Sequence, residues 1–171
     1  TMKEEIDLLQ FPKTTRVLGR RTEAHREIAR KFDRDFFDAS RDTGYGGYYY
    51  DGRWQAVAKR LIKHYRIPAR SRVLDIGCAK GFLVHDLVAE GIDAFGLDVS
   101  GYALANCYEH AAGGAKMRIA HRLMHRSALD IPMLPYRLIV SINTLHNLTK
   151  NEMAGVLADI EAKADNAYIT V

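Results

Sequence analysis

Cysteine is scarce: Cys78 and Cys107 are the only two among 171 residues. They lie in separate segments without metal-ligand spacing, which excludes a disulfide scaffold and points to a reducing cytoplasm. Long apolar runs are missing as well. No stretch approaches the roughly 18 residues that span a bilayer, and no signal-peptide pattern opens the chain, so a soluble protein with no membrane partner is expected. Internal repeats and low-complexity tracts are absent, and neither sign of charge dominates, with 25 Lys and Arg against 21 Asp and Glu. Hydrophobic residues at 47% then exclude a disordered tail or a collagen-like fibre. A chain of this length buries about 68–70% of its unfolded surface as one compact domain.

The charge is unevenly placed. Residues 1–70 hold 16 Lys and Arg against 10 Asp and Glu, whereas residues 71–171 hold 9 against 11. The basic part suits an anionic partner such as nucleic acid, or simply a solvated helix face. Thr1 stands before Met2, so position 1 is not expected to be a native start, and the other end is open to the same reading.

Periodicity supplies the organisation. Residues Arg20–Phe37 place Ile28, Ala29, Phe32, Phe36 and Phe37 at near-helical spacing among charges. A Gly/Tyr loop, Thr43–Asp51, precedes a helix over about Gly52–Tyr65 that stops near Pro68. From Arg72 onward, short apolar strands alternate with helices. Strands are expected at Arg72–Ile76, Asp93–Asp98, Leu123–Ala128, Leu138–Ile142 and Ala167–Val171, with helices at Phe82–Glu90, Tyr102–Glu109 and Glu152–Ala164. This alternation predicts an α/β fold with a doubly wound, mostly parallel sheet. Residues 1–52 would form a helical extension and a Gly/Tyr segment, and residues 53–171 the sheet domain.

The segment Val73-Leu-Asp-Ile-Gly-Cys-Ala-Lys-Gly81 reads as a strand, a tight turn and a helix start. Gly77 permits a sharp turn and close ligand approach, and the helix start near Gly81 presents unpaired N–H groups. A nucleotide-like ligand is therefore expected at the carboxyl ends of the strands. The dinucleotide fingerprint G-x-G-x-x-G is not met, which disfavours a nicotinamide dehydrogenase. Asp75, inside the first strand, would repel pyrophosphate and suits a cation. Asp98 follows Gly77 by 21 residues, the spacing at which an acid reaches ribose hydroxyls in doubly wound folds. A second reading makes Asp98 a helix N-terminal acid beside the cap Ser100.

These residues, with Gly96-Leu-Asp98, resemble the class I, Rossmann-like S-adenosylmethionine-dependent methyltransferases over about residues 53–171. Ala79 stands where the family usually has a middle glycine. The resemblance implies a seven-stranded sheet, whereas this sequence ends on its fifth strand. It further implies that Asp75 and the turn Gly77, Cys78, Ala79 and Gly81 surround the methionine part of S-adenosylmethionine, that Asp98 holds the ribose, that Val99 belongs to the same cofactor site, and that Ser127 and Ala128 lie beside adenine. The family's usual adenine-side acid would fall at Ser127, and the nearby acid Asp130 is displaced.

After the fourth strand comes Ser141-Ile-Asn-Thr-Leu-His-Asn147. His146 has the chemistry to take a proton from an acceptor, or else it packs in its loop. Asn143 is a candidate for orienting cofactor or acceptor. Tyr45 and Tyr48, on a segment with Gly44, Gly46, Gly47 and Gly52, suit either a lid facing the sulfonium or a cover over the core. The lid reading is adopted because so many glycines are costly without a need for mobility or close approach. No Asn/Asp-Pro-Pro-Tyr run and no suitably placed thiolate appears, which disfavours nucleic acid. The expectation is a cytoplasmic enzyme moving a methyl group from S-adenosylmethionine to an O or N atom of a small-molecule acceptor, with S-adenosylhomocysteine as product. Its rivals are an RNA-modifying methyltransferase and a non-catalytic S-adenosylmethionine-binding module. The apolar edge at Ala167–Val171 calls for a covering hairpin or another chain, a homodimer included.

Overall fold

The computed structural model describes residues 6–12, 21–110 and 117–170. Five strands form one sheet: β1 (Arg72–Ile76), β2 (Asp93–Asp98), β3 (Leu123–His125), β4 (Leu138–Ile142) and β5 (Ala167–Thr170). Their order is β3-β2-β1-β4-β5, and every pairing is parallel. Parallel neighbours need crossovers that lie on the sheet faces, so both faces become buried. Helix α4 (Phe82–Ala89) links β1 to β2, and α6 (Lys150–Lys163) links β4 to β5.

Alternation along each strand sends successive side chains to opposite faces. Val73, Ala94, Leu138, Val140 and Tyr168 join Val57, Ala58 and Leu61 of α3 (Arg53–His64) and Leu83, Val84 and Leu87 of α4 in one core. Leu74, Ile76, Leu97 and Ile139 meet Val156 and Ile160 of α6 in the other. Each of the fully buried leucines contributes roughly 1.5–3 kcal/mol through removal from water. Asp75 breaks the apolar pattern, aligned in register with Gly96 on one side and Val140 on the other.

Several expected bounds move. The helix expected over Arg20–Phe37 divides into α1 (Glu23–Ala29) and α2 (Arg34–Phe37). Phe32 takes a left-handed φ of 48°, and Asp33 caps α2 by accepting the Arg34 N–H. That Asx cap restarts the helix on a new axis. The helix expected at Tyr102–Glu109 is the short α5 (Gly101–Ala105), capped by the Ser100 hydroxyl accepting the Ala103 N–H. β3 ends at His125 instead of Ala128, and α6 begins at Lys150 because Thr149 and Glu152 form a capping box. Arg20 and Val171, placed in the expected first helix and last strand, lie outside the described residues, as does the start at Thr1. Among the described residues no helix is long and apolar enough to cross a membrane.

Candidate active site

Because all five strands run the same way, the last residues of β1, β2, β3 and β4 open onto one edge of the sheet. The turn after β1 is built there. Gly77 has φ 79° and Gly81 φ 74°, a region that L side chains rarely adopt. A Cβ on Gly77 would stand 2.0 Å from the Thr144 hydroxyl oxygen, so glycine is required here by space as well as by conformation. The N–H groups of Gly77 and Cys78 both donate to the Leu97 carbonyl, at 2.8 and 3.1 Å. The turn is thereby fastened to β2. Ala79, where the family's glycine usually stands, also has a positive φ, of 50°.

Two carboxylates face this turn. Asp98 is 8% exposed, and its two oxygens accept the N–H groups of Ala79 and Ser100, each at 2.8 Å. Burial pushes the Asp98 carboxyl up, against the lowering effect of the Ser100, Ala79 and Val99 N–H groups and of His125. The structure places Asp98 at the α5 N-terminus beside the cap Ser100, and with two bonds made its carboxylate keeps further lone pairs. Asp75 differs, being 6% exposed and, among the described residues, engaged in no side-chain hydrogen bond or ion pair. Burial, reinforced by the charge of Asp98, pushes its carboxyl up to about 7. A buried acid without donors is a cost that a cationic ligand would relieve. Cys78, 4% exposed, is pushed well up by burial and by the same two acids. Its thiol stays protonated and is no nucleophile.

The Gly/Tyr segment covers the turn. The Tyr48 ring stacks on Phe82 at 4.8 Å and 11°, and meets the Tyr45 ring at 4.6 Å. Burial drives the Tyr48 hydroxyl well above its ordinary value, with Tyr45, Asp75, Cys78 and Asp98 adding to the effect. Tyr48 thus belongs to the same electrostatic neighbourhood as the two acids. Tyr45 remains 41% exposed. Tyr50 turns away: its hydroxyl donates to Asp86 at 2.7 Å, and burial followed by that bond lifts it to about 12.

The remaining candidates are placed less closely. Val99 is half exposed, with its carbonyl 2.9 Å from the His125 Nε2. Ser127 and Ala128 follow β3; the Ser127 hydroxyl accepts the Leu129 N–H, and Ala128 is buried against the core. Asn143 leaves β4 with φ 50°, its N–H donating to Thr170. His146 lies exposed in the 3-10 turn Leu145–Asn147.

Sequence reasoning missed a cluster at the turn itself. Lys80 is 8% exposed, and its ammonium donates to both Asp38 oxygens at 2.8 and 2.7 Å and to the Tyr48 carbonyl at 3.1 Å. Asp38 also accepts the Tyr102 hydroxyl at 2.7 Å and the Tyr48 N–H at 3.1 Å. Burial alone would raise the Asp38 carboxyl, but these donors outweigh it and hold it below its ordinary value. The available signal was a lysine inside a turn expected to face a cation. Thr144, seated against Gly77, was equally silent in the sequence.

The family described as methyltransferase domain matches residues 73–163, just over half of the chain. The chain belongs to that methyltransferase-domain family. Solved structures show the same fold for this methyltransferase domain. Magnesium protoporphyrin IX methyltransferase from Synechocystis, crystallised with bound S-adenosylmethionine, is 20% identical and has a TM-score of 0.52, covering 66% of this chain and 53% of its own. CalS10, an amino pentose methyltransferase from Micromonospora echinaspora, is 20% identical with a TM-score of 0.51, over 65% of this chain and 46% of its own. The glycopeptide N-methyltransferase MtfA, complexed with sinefungin, is 17% identical with a TM-score of 0.53, over 69% and 51%. At these identities the likeness is one of fold. This methyltransferase domain spans about half the length of those proteins. No curated protein sequence matches it.

Proposed function

We propose that this methyltransferase domain binds S-adenosylmethionine across the β1 turn and serves the transfer of its methyl group to an O or N atom of a small-molecule acceptor. The observation that carries the reading is Asp75: a buried carboxylate without a hydrogen bond among the described residues, beside Asp98, at the carboxyl edge of a parallel sheet. S-adenosylmethionine supplies a positive charge for such a site and a methyl group already activated for displacement.

The residues of the chain then have separable tasks. Asp75 provides the negative charge, and Gly77 the close approach of backbone to ligand. Asp98 keeps lone pairs for ribose hydroxyls while the Ala79 and Ser100 N–H groups fix its plane. Gly81 opens α4, Cys78 and Ala79 line the turn, and Val99, Ser127 and Ala128 flank the adenine side. Tyr45 and Tyr48 roof the turn and exclude water. Asn143 orients the acceptor, and His146 takes up the proton that the acceptor loses. Much of the rate comes from alignment, an effect worth up to roughly 7–11 kcal/mol, so His146 assists but is not indispensable.

The test is calorimetry with S-adenosylmethionine, S-adenosylhomocysteine and NAD in parallel. Binding of the first two without NAD is expected. Binding of NAD alone, or of none of the three, overturns the proposal.

A further inference from the structure

A lysine inside a turn built for a cationic ligand is an electrostatic contradiction, and the structure resolves it through a residue far away in sequence. All three Lys80 ammonium protons are spent, two on Asp38 and one on the Tyr48 carbonyl. The ammonium and the Asp38 carboxylate retain only 10% and 17% of their side-chain exposure, so solvent does little to screen either charge. Asp38 lies just after α2, on the segment that leads into Tyr45 and Tyr48, and its carboxylate also holds the Tyr48 N–H and the Tyr102 hydroxyl. One acid thus joins the covering segment, α5 and the turn.

We propose that Asp38 is a positioning residue that masks the Lys80 charge, so that the turn favours a sulfonium while the 38–48 segment is docked on it. The inference rests on the reading of the site given above. With Asp38 in place, Lys80 contributes a neutral pair beside the ligand. Without it, an unmatched ammonium remains at the turn, and it opposes S-adenosylmethionine more than S-adenosylhomocysteine. Those two ligands share their amino, carboxyl and adenosine groups and differ in one methyl group and the positive charge it places on sulfur. The ratio of their affinities therefore reads the field at the turn, whereas a packing defect weakens both alike.

The experiment is calorimetric titration of the whole chain with each ligand, for wild type, Asp38→Asn, Lys80→Met and Asp38→Asn/Lys80→Met, at low and high salt. In Asp38→Asn the preference for S-adenosylmethionine is expected to fall by about tenfold, the order of one charge acting across several ångströms of partly buried protein. In Lys80→Met the unmatched Asp38 carboxylate moves the ratio the opposite way. The double variant returns it to the wild-type value. Should Asp38→Asn fail to fold, the opposite displacement in Lys80→Met and its reversal in the double variant decide the matter. Equal weakening of both ligands, or a ratio that none of the variants moves, overturns the masking role while wild-type binding leaves the cofactor reading standing. A wild-type chain that binds neither ligand overturns both.

Discussion

Asp75→Asn is the perturbation whose consequence is most fully determined by the structure. In the free protein the carboxyl at this position is held at about 7, against 3.8 for an ordinary aspartate. At about 1.4 kcal/mol per pH unit, keeping it ionised in the native state costs on the order of 4 kcal/mol. The sign follows from proton counting. Between about pH 4 and 7 the native chain holds a proton that the unfolded chain has released, so stability falls as pH rises through that window and levels off above it. The asparagine variant carries its own penalty, an unpaired buried amide worth about 1–3 kcal/mol, but that penalty does not vary with pH. Thermal melts of ligand-free wild type and variant at pH 5 and pH 8 isolate the carboxyl. Of the carboxyl's contribution, roughly 2.7 kcal/mol is lost between pH 5 and pH 8, so the wild type should lose about 5–10 °C more than the variant, at roughly 2–4 °C per kcal/mol for a chain this long. Binding of S-adenosylmethionine at pH 7 should release about half a proton from wild type and none from the variant, read by calorimetry in buffers of different ionisation heat. Parallel pH profiles for the two proteins would refute the reasoning, because Asp75 would then be an ordinary solvated acid.

Three further outcomes are expected. Asp98→Ala strands the N–H groups of Ala79 and Ser100, so it should cost about 2–4 kcal/mol in urea unfolding as well as most of the cofactor affinity; Asp98→Asn, which keeps one acceptor, should cost less on both counts. Ala79→Gly should leave the protein unchanged or stabilise it by up to about 1 kcal/mol, since release from a positive φ outweighs the extra chain entropy; a loss of stability would show that the Ala79 methyl packs usefully. Gly77→Ala should destabilise by more than 3 kcal/mol or prevent folding, because its Cβ meets Thr144, and Thr144→Gly should restore part of that loss in the same melts.

The strands were legible because their apolar runs are short and bounded. β1, β2 and β4 carry the bounds expected of them, since a parallel strand buried on both faces is mostly apolar along its length even where Asp75, Gly96 or Ser141 interrupts it. Helix ends were harder to read. Nothing in the spacing of Phe32, Phe36 and Phe37 announces that Asp33 restarts the chain, and α5 stops at Ala105 although apolar character continues to Cys107 and Tyr108. The placement of Asp75, Gly77 and Asp98 around the β1 turn was readable because strand ends and turns have fixed spacing in sequence. Lys80 was not, because its meaning depends on Asp38, 42 residues earlier. Thr144 escaped for the same reason: only the closure of β1 against β4 sets it on Gly77.

That contact has a consequence for the order of assembly. The pairing of β1 with β4 joins residues 73 and 138, a long loop to close, and contacts between such distant positions are among the slowest to form. A nascent chain that has emerged as far as Asp98 already carries both acids and the whole glycine turn, yet nothing holds Gly77 from the β4 side until Thr144 arrives. On the proposed reading of the site, the cofactor finds Gly77 held in place only once β4 has paired with β1. Its stabilising influence should fall on the rate of unfolding, by trapping the completed sheet, and leave the rate of folding unchanged.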